Sequence, residues 1–520
     1  MPEHTKRSAL PLTAAQLEIW LSAQIRGVDP VFSMQREIFG PVDPPLFARA
    51  LREVVVETDA LHTRFVAEDG QVRQIPDPSL EWEPTVVDLS AAADPRAAAD
   101  EWIDRHWERS YDITRGPLFA YVLFRLAPDR FLWHQQYHHL ISDAVGASLV
   151  EQRVEEVYRR LTRGEPAKSP FCGSLAALAE EEAAYLASEE FTQDRAYWLD
   201  RAAGGLVPSV LDRESGARPD PRGSDVVRGS LRTRHTTIEV AGLNRAADAA
   251  GVRRSAVIFA AVAAYISAVT AEDEVVVNLP VGARTGPVGR TTPGVMANVL
   301  PVRVRVDGQE SFADLARRVA ELIREAVKHQ RFRAELLARE AETGPAAPGQ
   351  VRPGVLVNII AAGGELTFDG HRTEREITFA RPEDLSMRFS SIDGDRMGFF
   401  LGANPGLWDG VGLAGHQERF LRVLGQVVAD PGMRVGAVEL LAEGEGERLA
   451  VWNDTACAVP GGGWVGLFGA QVAWSAGAVA VVSPDEGGVV VSYAELDGRV
   501  NRLARWLRGQ GGGGEGAVAV

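Results

Sequence analysis

Apolar residues recur at helical spacing near the start of the chain and then give way to short runs rich in β-branched residues. Helices are predicted over residues 14–24, after Thr13 as the N-cap, and over residues 45–57. A strand is predicted over residues 61–67, leading into a turn at residues 69–70. Because this helix-then-strand order recurs further on, the pattern favours an α/β fold.

The same alternation continues through the middle of the chain. An aromatic strand is predicted over residues 131–137, and an amphipathic helix follows over residues 148–163. Later come a wholly apolar helix over residues 253–271, a β-branched strand over residues 274–280 and an amphipathic helix over residues 312–331. The mixture of helices and strands persists well beyond the length of one small domain.

Four stretches rich in glycine, proline or alternating charge interrupt this pattern. They cover residues 164–170, 204–230, 344–354 and 460–463. A chain of 520 residues is too long for one hydrophobic core, so we expect two or more lobes. The second stretch is the best candidate for an excursion between lobes.

Composition narrows the classes of function. A formal net charge of −16 without a basic block argues against a nucleic-acid partner. Two cysteines, Cys172 and Cys457, make neither a disulfide framework nor a cysteine metal site, and they favour a reducing compartment. The N-terminus has no apolar core like that of a signal peptide, and the apolar run at residues 255–270 is too short to span a bilayer. We therefore expect a cytoplasmic protein without a membrane partner.

The loop after the predicted aromatic strand carries the strongest candidate chemistry. Residues 138–143 read HHLISD, with Asp143 four positions after His139. Neighbouring residues at a strand end point to opposite faces, so one imidazole can face the core while the other faces a cleft. Three roles are open for Asp143: a metal ligand, a partner that orients a histidine, or one half of a buried ion pair. A metal is the least favoured, because no third ligand lies nearby in sequence.

This loop resembles the HHxxxDG signature of condensation domains in nonribosomal peptide synthetases. Three further segments resemble motifs of that family in the same order: residues 12–20 (LTAAQLEIW), residues 61–65 (LHTRF) and residues 293–301 (PGVMANVLP). The resemblance covers roughly residues 12–442. It therefore concerns most of the chain and not only the histidine loop.

The end of the chain resembles the opening of an adenylation domain. The matching segments, in order, are residues 451–456 (VWNDTA), 467–471 (LFGAQ), 491–496 (VSYAEL) and 501–504 (NRLA). Residues 474–476 (WSA) depart from the threonine–proline pair that is usual at this place. The sequence reaches Val520 before any phosphate loop, so we expect no ATP binding from it.

Together these resemblances imply an architecture. The fold is expected to be α/β, with two chloramphenicol-acetyltransferase-like lobes arranged in a V shape and an active-site tunnel between them. The lobes are residues 1–175 and residues 176–442. A linker at residues 443–457 and a truncated α/β adenylation-domain fragment at residues 458–520 complete the expected order.

The family resemblance also assigns roles at the site. The second histidine of the signature is the catalytic one, which is His139, and His138 is structural. The aspartate is structural and pairs with an arginine of the other lobe in a Pro-x-x-x-Arg context, which residues 280–284 (PVGAR) match. Asp143 and Arg284 are each poor candidates for unpaired burial, so a pair would stabilise both.

The resemblance implies amide formation between an acyl or aminoacyl thioester and the amine of an aminoacyl acceptor. His139 either accepts the amine proton or positions the amine, and the sequence leaves both roles open. Both substrates would be carried on the 4′-phosphopantetheine arms of carrier proteins, so the chain itself is expected to bind no cofactor and no metal. Because the first motif lies within the first twenty residues, we expect the donor carrier as a separate protein, with an acceptor carrier and an adenylation domain downstream.

Two positions depart from the family pattern. Ala144 replaces the glycine after the aspartate; if the backbone there needs a positive φ, alanine costs energy and shifts the amides of Ala144, Val145 and Gly146 that line the tunnel or bind an oxyanion. His62 replaces a commoner arginine and is expected to alter lobe packing only. Asn358 is expected to line the tunnel, with a hydrogen-bonding role in the core equally open.

Alternatives from other classes remain at this point. A catalytically inactive condensation fold would dock carrier proteins or recruit partner enzymes. An epimerisation domain shares the double histidine but follows a carrier, and a heterocyclisation domain has aspartates in place of the histidines. Within the condensation family, residues 329–332 (HQRF) and the absence of a preceding carrier point towards siderophore-type synthetases with an aryl or aminoacyl donor.

Overall fold

The computed structural model describes most of the chain. The described residues are 9–26, 29–68, 71–106, 111–166, 173–203, 205–211, 231–232, 236–340, 354–360, 367–378, 384–391, 395–404, 407–408, 410–442, 444–458, 461, 463–483 and 489–511. They belong to two compact units, Met1–Leu440 and Leu441–Val520. Each unit has its own helices and strands.

The helices and strands alternate along the chain as the hydrophobic pattern predicts. The helices are α1 (Ala14–Arg26), α2 (Pro44–Glu57), α3 (Pro95–His106), α4 (Ala144–Arg163), α5 (Leu175–Leu186), α6 (Glu189–Ala202), α7 (Val240–Ala250), α8 (Arg254–Thr270), α9 (Pro287–Thr291), α10 (Phe312–Lys328), α11 (Ala334–Glu340), α12 (Gly410–Ala429), α13 (Glu445–Asn453), α14 (Gly463–Trp474) and α15 (Tyr493–Gly509). The strands are β1 (Leu10–Pro11), β2 (Val31–Ile38), β3 (Thr63–Glu68), β4 (Gln71–Pro76), β5 (Thr85–Asp88), β6 (Phe119–Ala127), β7 (Arg130–His138), β8 (Leu231–Arg232), β9 (Thr236–Glu239), β10 (Glu274–Val281), β11 (Asn298–Arg305), β12 (Val355–Ile360), β13 (Thr367–Phe368), β14 (His371–Thr378), β15 (Leu385–Ser391), β16 (Arg396–Ala403), β17 (Val479–Ser483) and β18 (Val489–Ser492).

One sheet of the first unit has the strand order β13-β14-β2-β7-β6-β5. We call it the N-terminal sheet, because most of its strands come from the first part of the chain. Its buried side chains, among them Phe32, Trp133 and Tyr137, pack in one hydrophobic core with residues of α2 and α4. Strand β14 comes from the second half of the chain, yet it pairs with β2, where Thr373 lies opposite Ile38. This sheet therefore ties distant parts of the sequence together.

A second sheet, the C-terminal sheet, has the order β11-β10-β12-β15-β16-β8, with β9 also pairing with β16. Strand β12 is parallel to both of its neighbours, β10 and β15. Helix α8 consists of alanine and larger apolar residues on every side and is buried from Ala256 to Ile266, as a helix without a polar face must be. No single helix of the described chain is long and apolar enough to cross a membrane, and one bent pair, α7 with α8 at 94°, passes that test only when taken together.

Capping side chains determine where helices α1 and α4 begin. Thr13 does cap α1: its hydroxyl accepts from the Gln16 amide at 3.3 Å, and the Gln16 side chain accepts from the Thr13 amide at 2.9 Å. Helix α4 begins at Ala144 and not at residue 148, because the Asp143 carboxylate caps it. These caps supply acceptors for the free amides of the first helical turn.

Two further predictions were wrong at one boundary, and others concern residues that the structure does not describe. Residues Asp59–His62 form a 3-10 turn with His62 buried, so the predicted strand starts at Thr63. Helix α10 ends at Lys328 rather than at residue 331. Most of the stretch 204–230, and all of 344–353, lie outside the described residues.

The second unit comprises α13, α14, the antiparallel hairpin β17-β18 and α15. Helix α13 lies within the stretch expected as a linker. Helix α15 begins with a complete capping box between Ser492 and Glu495. Among the described residues of this unit, Val491 is the one apolar side chain that is fully buried, whereas Trp464 and Trp474 are 77% and 83% exposed.

Candidate active site

The two histidines continue strand β7 and leave it in opposite directions. His138 is the last residue of the strand, and its amide donates to the Leu118 carbonyl at 2.8 Å. The amide of His139 donates to the Pro30 carbonyl at 2.7 Å, on the neighbouring chain segment that leads into β2. The predicted division of the two imidazoles between opposite faces follows from this extended backbone.

The His138 side chain is buried, with 1% of its surface exposed. Its Nδ1 accepts from the Leu140 amide at 3.1 Å, and its Nε2 lies 4.0 Å from Asp29 Oδ1. Burial lowers the pKa of this imidazole to about 4, against the opposing effect of Asp29. His138 is therefore neutral and holds the turn of the loop.

The His139 side chain is half-buried and lies against the Phe32 ring, with 4.6 Å between ring centroids. Burial lowers the pKa of the His139 imidazole below its ordinary value, and Asp143 and the Ser142 carbonyl oppose that shift. Because a neutral imidazole has one N–H, the second ring nitrogen carries a lone pair.

Asp143 is 2% exposed and its carboxylate accepts four hydrogen bonds. Oδ1 accepts from the Gly146 amide at 2.7 Å and from Arg284 Nη2 at 3.0 Å. Oδ2 accepts from the amides of Met296 and Ala297 at 2.9 and 3.0 Å. These donors occupy both oxygens, so the carboxylate is one half of a buried ion pair and has no place for a metal ion.

Arg284 completes the predicted ion pair and is held by three further acceptors. Nη1 donates to the carbonyls of Gly289 and Thr292, at 2.5 and 2.8 Å, and Nη2 also donates to the Gly294 carbonyl at 2.8 Å. The preceding residue, Ala283, has φ of 50°, in the left-handed region that alanine seldom adopts. This strained residue directs the chain from β10 into the position from which Arg284 reaches Asp143.

The residues after Asp143 do not all fit their expected roles. Ala144 is the first residue of α4 and has no positive φ, so a side chain is tolerated where the family has glycine. The Gly146 amide is already bound to Asp143, which corrects its assignment as an oxyanion donor. The amides of Ala144 and Val145 stand in the first turn, where a helix offers free N–H groups.

Glycine is nevertheless required at Gly146. A Cβ at this position would lie 2.7 Å from the Gly294 carbonyl oxygen and 2.9 Å from Ser142 Oγ. The first turn of α4 therefore approaches the backbone before β11 more closely than any side chain permits. Val145 is 42% exposed and lies beside Gly282, where the two halves of the first unit come close together.

Asn358 lies on β12, opposite Arg388 of β15, and is half-buried. Val355 and Val357 on that strand are buried in the core of the C-terminal sheet. Side chains alternate along a strand, so Asn358 lies on the other face, with Ile360, which packs against the core of the N-terminal sheet. This placement favours the surface between the sheets over a role in either core.

Sequence reasoning missed three contributors to the site. Asp143 accepts from the amides of Met296 and Ala297, and Arg284 donates to the carbonyl of Gly294. These bonds involve the backbone of residues 294–297 and not their side chains. They belong to the segment 293–301, which was recognised only as a motif. Backbone groups have no residue-type signature, so their role became visible only with the fold.

The arrangement presents a neutral imidazole beside a fixed carboxylate–guanidinium pair. Hydrogen bonds engage both carboxylate oxygens of Asp143 and both Nη nitrogens of Arg284. As a neutral group, the imidazole has one ring nitrogen that carries a lone pair. Such a group can accept a proton from an amine or hold the amine in position.

Comparisons with known proteins show the family of the chain. The condensation-domain family profile matches residues 6–450. The chain is 35% identical over 522 residues to isonitrile lipopeptide synthase of Streptomyces coeruleorubidus, which covers 98% of this chain and 34% of that protein. It is 29% identical over 514 residues to enterobactin synthase component F of Escherichia coli K12, covering 96% of this chain and 38% of that protein. The chain thus spans about a third of the length of these relatives.

Solved structures are similar as well. A mutant starter condensation domain of rhizomide synthetase, in complex with C8-CoA and Leu-SNAC, superimposes with a TM-score of 0.75 at 33% identity. The match covers 84% of this chain and 98% of that domain. The α/β fold is therefore that of solved condensation domains.

Proposed function

The chain belongs to the condensation-domain family, and from that premise we propose that His139 is the catalytic residue of its amide-forming reaction. Condensation domains of nonribosomal peptide synthetases join an acyl group to an amine, and this chain fits that amide-forming role. The observation that carries the assignment is the His139 imidazole, half-buried against the Phe32 ring at the end of β7, whose pKa burial lowers so that the ring is neutral. His138 has neither nitrogen free for a substrate, since Nδ1 accepts from Leu140 and Nε2 faces Asp29.

In the proposed step the α-amine of the acceptor attacks the thioester carbonyl of the donor. The new C–N bond forms, the C–S bond breaks, and the amine proton leaves through His139 to the departing thiolate. A well-placed general base contributes typically 10² to 10⁴ in rate. Holding both substrates in one site contributes through proximity. The amides of Ala144 and Val145 are the proposed donors to the developing oxyanion.

We propose that the donor and acceptor arrive on the 4′-phosphopantetheine arms of two carrier proteins, and that the chain supplies no cofactor of its own. The support is the family membership and the amide-forming site. Candidate donors are an aryl or aminoacyl group, as in siderophore-type synthetases, and a medium-chain acyl group. The similarities to enterobactin synthase component F and to a starter domain bound to C8-CoA make both classes worth testing.

We propose further that the second unit is the start of an adenylation domain. The support is the order of its four motif segments and the extension of the alignment with isonitrile lipopeptide synthase over 98% of the chain. Its exposed apolar side chains fit a fragment whose core needs further chain.

The few cysteines, with Cys457 free, fit a reducing cytoplasm as the place of the reaction.

The test is a condensation assay with purified components. The chain is mixed with a donor carrier loaded with octanoyl, aryl or aminoacyl groups and with an aminoacyl-loaded acceptor carrier, and the amide on the acceptor is detected by mass spectrometry. We expect product with at least one donor class. Binding of both carriers without product from any class would instead favour the inactive docking module.

A further inference from the structure

The peptide groups of Met296 and Ala297 are held on both sides. Their N–H groups donate to Asp143 Oδ2, at 2.9 and 3.0 Å. Their carbonyl oxygens accept from a single guanidinium nitrogen, Arg333 Nη1, at 3.4 and 2.7 Å. The same two residues therefore connect the carboxylate of the histidine loop with an arginine that no motif singled out.

Arg333 is itself fixed by groups from both halves of the first unit. Its Nη2 donates to Glu18 Oε2 on helix α1, near the start of the chain. Its Nε lies 3.5 Å from Glu335 Oε2. Both carboxylates and the arginine are almost fully removed from solvent, with 14%, 14% and 10% of their side chains exposed. A planar guanidinium suits this task because its donors point in fixed directions.

The neighbouring residue Asn298 holds the same segment from the side. Its Nδ2 donates to the carbonyls of Gln330 and Phe332, at 2.9 and 2.8 Å. Its Oδ1 accepts from the Ala334 amide at 3.4 Å. The loop that carries Arg333 is thus anchored to the start of β11, directly after residues 296–297.

We propose that Arg333 is a positioning residue of the active site: clamped by Glu18 and Glu335, it sets the Met296–Ala297 peptide on Asp143 and thereby the geometry of the His139 loop. The inference rests on the proposed function of that site. It adds a second ion pair between the two halves, Glu18–Arg333, to the pair Asp143–Arg284. Both pairs act on the same short backbone segment, from opposite sides.

The cluster contains two carboxylates for one guanidinium, so its charge is balanced when one carboxyl keeps its proton. Glu335 Oε1 is buried and has no hydrogen-bond donor among the described residues, which suits a protonated carboxyl beside Glu18. Burial and the neighbouring Glu18 raise the pKa of Glu335 to about 9, against the effect of Arg333. The other charged groups near the cluster are Glu182 on α5, whose pKa burial raises, and Arg331.

A proton kept by the folded protein makes its stability depend on pH. The folded-state pKa of Glu335 lies above the unfolded value, so this group's contribution is complete below about 4.5 and is lost as the pH rises towards 9. Glu335→Gln replaces the protonated acid by a neutral amide. The unfolding midpoint of the full-length wild type should therefore fall relative to that of Glu335→Gln between pH 7 and pH 9.5.

The test compares Arg333→Ala, Arg333→Lys and Glu335→Gln with Arg331→Ala as the matched control. Arg331 is the nearby arginine that stacks on Tyr185, at 3.9 Å from the ring centroid. It contacts Glu181 and Glu190 rather than residues 296–297. Two readouts are used on the full chain: the single-turnover condensation rate with the KM for each carrier, and hydrogen exchange of the amides of residues 296 and 297.

We expect Arg333→Ala to lower the single-turnover rate about 10- to 100-fold with little change in KM, and to speed exchange at residues 296–297. Arg333→Lys should restore the charge but not the rate, whereas Arg331→Ala should keep both readouts near wild type at pH 7.5. Glu335→Gln serves the comparison of unfolding midpoints between pH 7 and pH 9.5. Unchanged exchange and rate in Arg333→Ala would overturn the proposal, as would full rescue by lysine. If the wild type forms no amide, the proposed function fails, and the exchange readout still decides the role of Arg333.

Discussion

The junction of the two halves of the first unit, around Asp143, differs from the second unit of the chain in the kinds of side chain that are buried and exposed. At the junction, polar and charged groups are buried, and each oxygen of Asp143 is paired with two donors. In the second unit, apolar side chains are exposed: Trp452, Trp464, Trp474 and Trp506 all have more than half of their surface in solvent. The first region therefore buries polar groups that are hydrogen-bonded within the fold, whereas the second leaves much of its apolar surface in solvent.

The contrast shows which of these two regions can hold reactive groups in a defined geometry. A buried carboxylate with four fixed donors has one low-energy arrangement, because loss of any partner leaves a desolvated polar group. Exposed apolar faces confer no such uniqueness and contribute little to stability. We therefore expect substitutions at the junction to be costly and removal of the second unit to be nearly silent.

The largest effect is expected from Asp143→Ala. The change leaves Arg284 and three backbone amides without their acceptor in a buried site, so we expect a loss of about 3–5 kcal/mol in the free energy of unfolding. Chemical denaturation measures it. The control is Glu83→Ala, which breaks an exposed pair with Arg52 at 2.6 Å and should cost less than about 1 kcal/mol. Equal costs for the two variants would contradict the contrast between buried and exposed regions.

A smaller effect is expected from His138→Ala. The substitution removes a buried ring and leaves the Leu140 amide without the acceptor it has at 3.1 Å. We expect a cost of about 1–3 kcal/mol in the same denaturation measurement. A variant as stable as the wild type would show that His138 is not the structural member of the pair.

Relief of strain at Ala283 should have a still smaller effect, of opposite sign. Its φ of 50° is readily adopted by glycine, so Ala283→Gly should leave stability unchanged or raise it by up to about 1 kcal/mol. The gain is partly offset by the greater freedom of glycine in the unfolded chain. A clear loss of stability would mean that the alanine methyl group is needed for packing.

Removal of residues 443–520 should have the smallest effect. We expect the shortened chain to remain soluble, to unfold at nearly the same midpoint and to keep its condensation rate, because the second unit buries so little apolar surface of its own. The full chain should show no amino-acid-dependent ATP–pyrophosphate exchange. Loss of folding on truncation, or measurable exchange, would contradict this assessment of the second unit.

Much of this contrast could be predicted from the sequence. Hydrophobic periodicity gave the helices and strands that flank the histidine loop, and the family motifs gave His139, Asp143 and Arg284 as a group. The pairing of Asp143 with Arg284 was implied by the family resemblance, and the structure confirms it at 3.0 Å. The argument that neither group suits unpaired burial agrees with the pair but would not by itself have singled out Arg284.

Other features depend on the path of the backbone and could not be read in this way. Nothing in the residue type of Met296 or Ala297 indicates that their amides bind Asp143, or that Gly146 is required by the Gly294 carbonyl. The concern about Ala144 rested on an assumed positive φ, which the structure does not have. Strand β14 crosses to the N-terminal sheet by a long-range pairing that local propensity does not encode.

The central claim is that this junction holds His139 as the catalytic base of amide formation. The most direct measurement is the single-turnover condensation rate of His139→Ala with both carriers loaded, alongside its unfolding midpoint. We expect a fall of about 10² to 10⁴ in rate with a midpoint close to that of the wild type. A near-wild-type rate in a folded His139→Ala protein would contradict it.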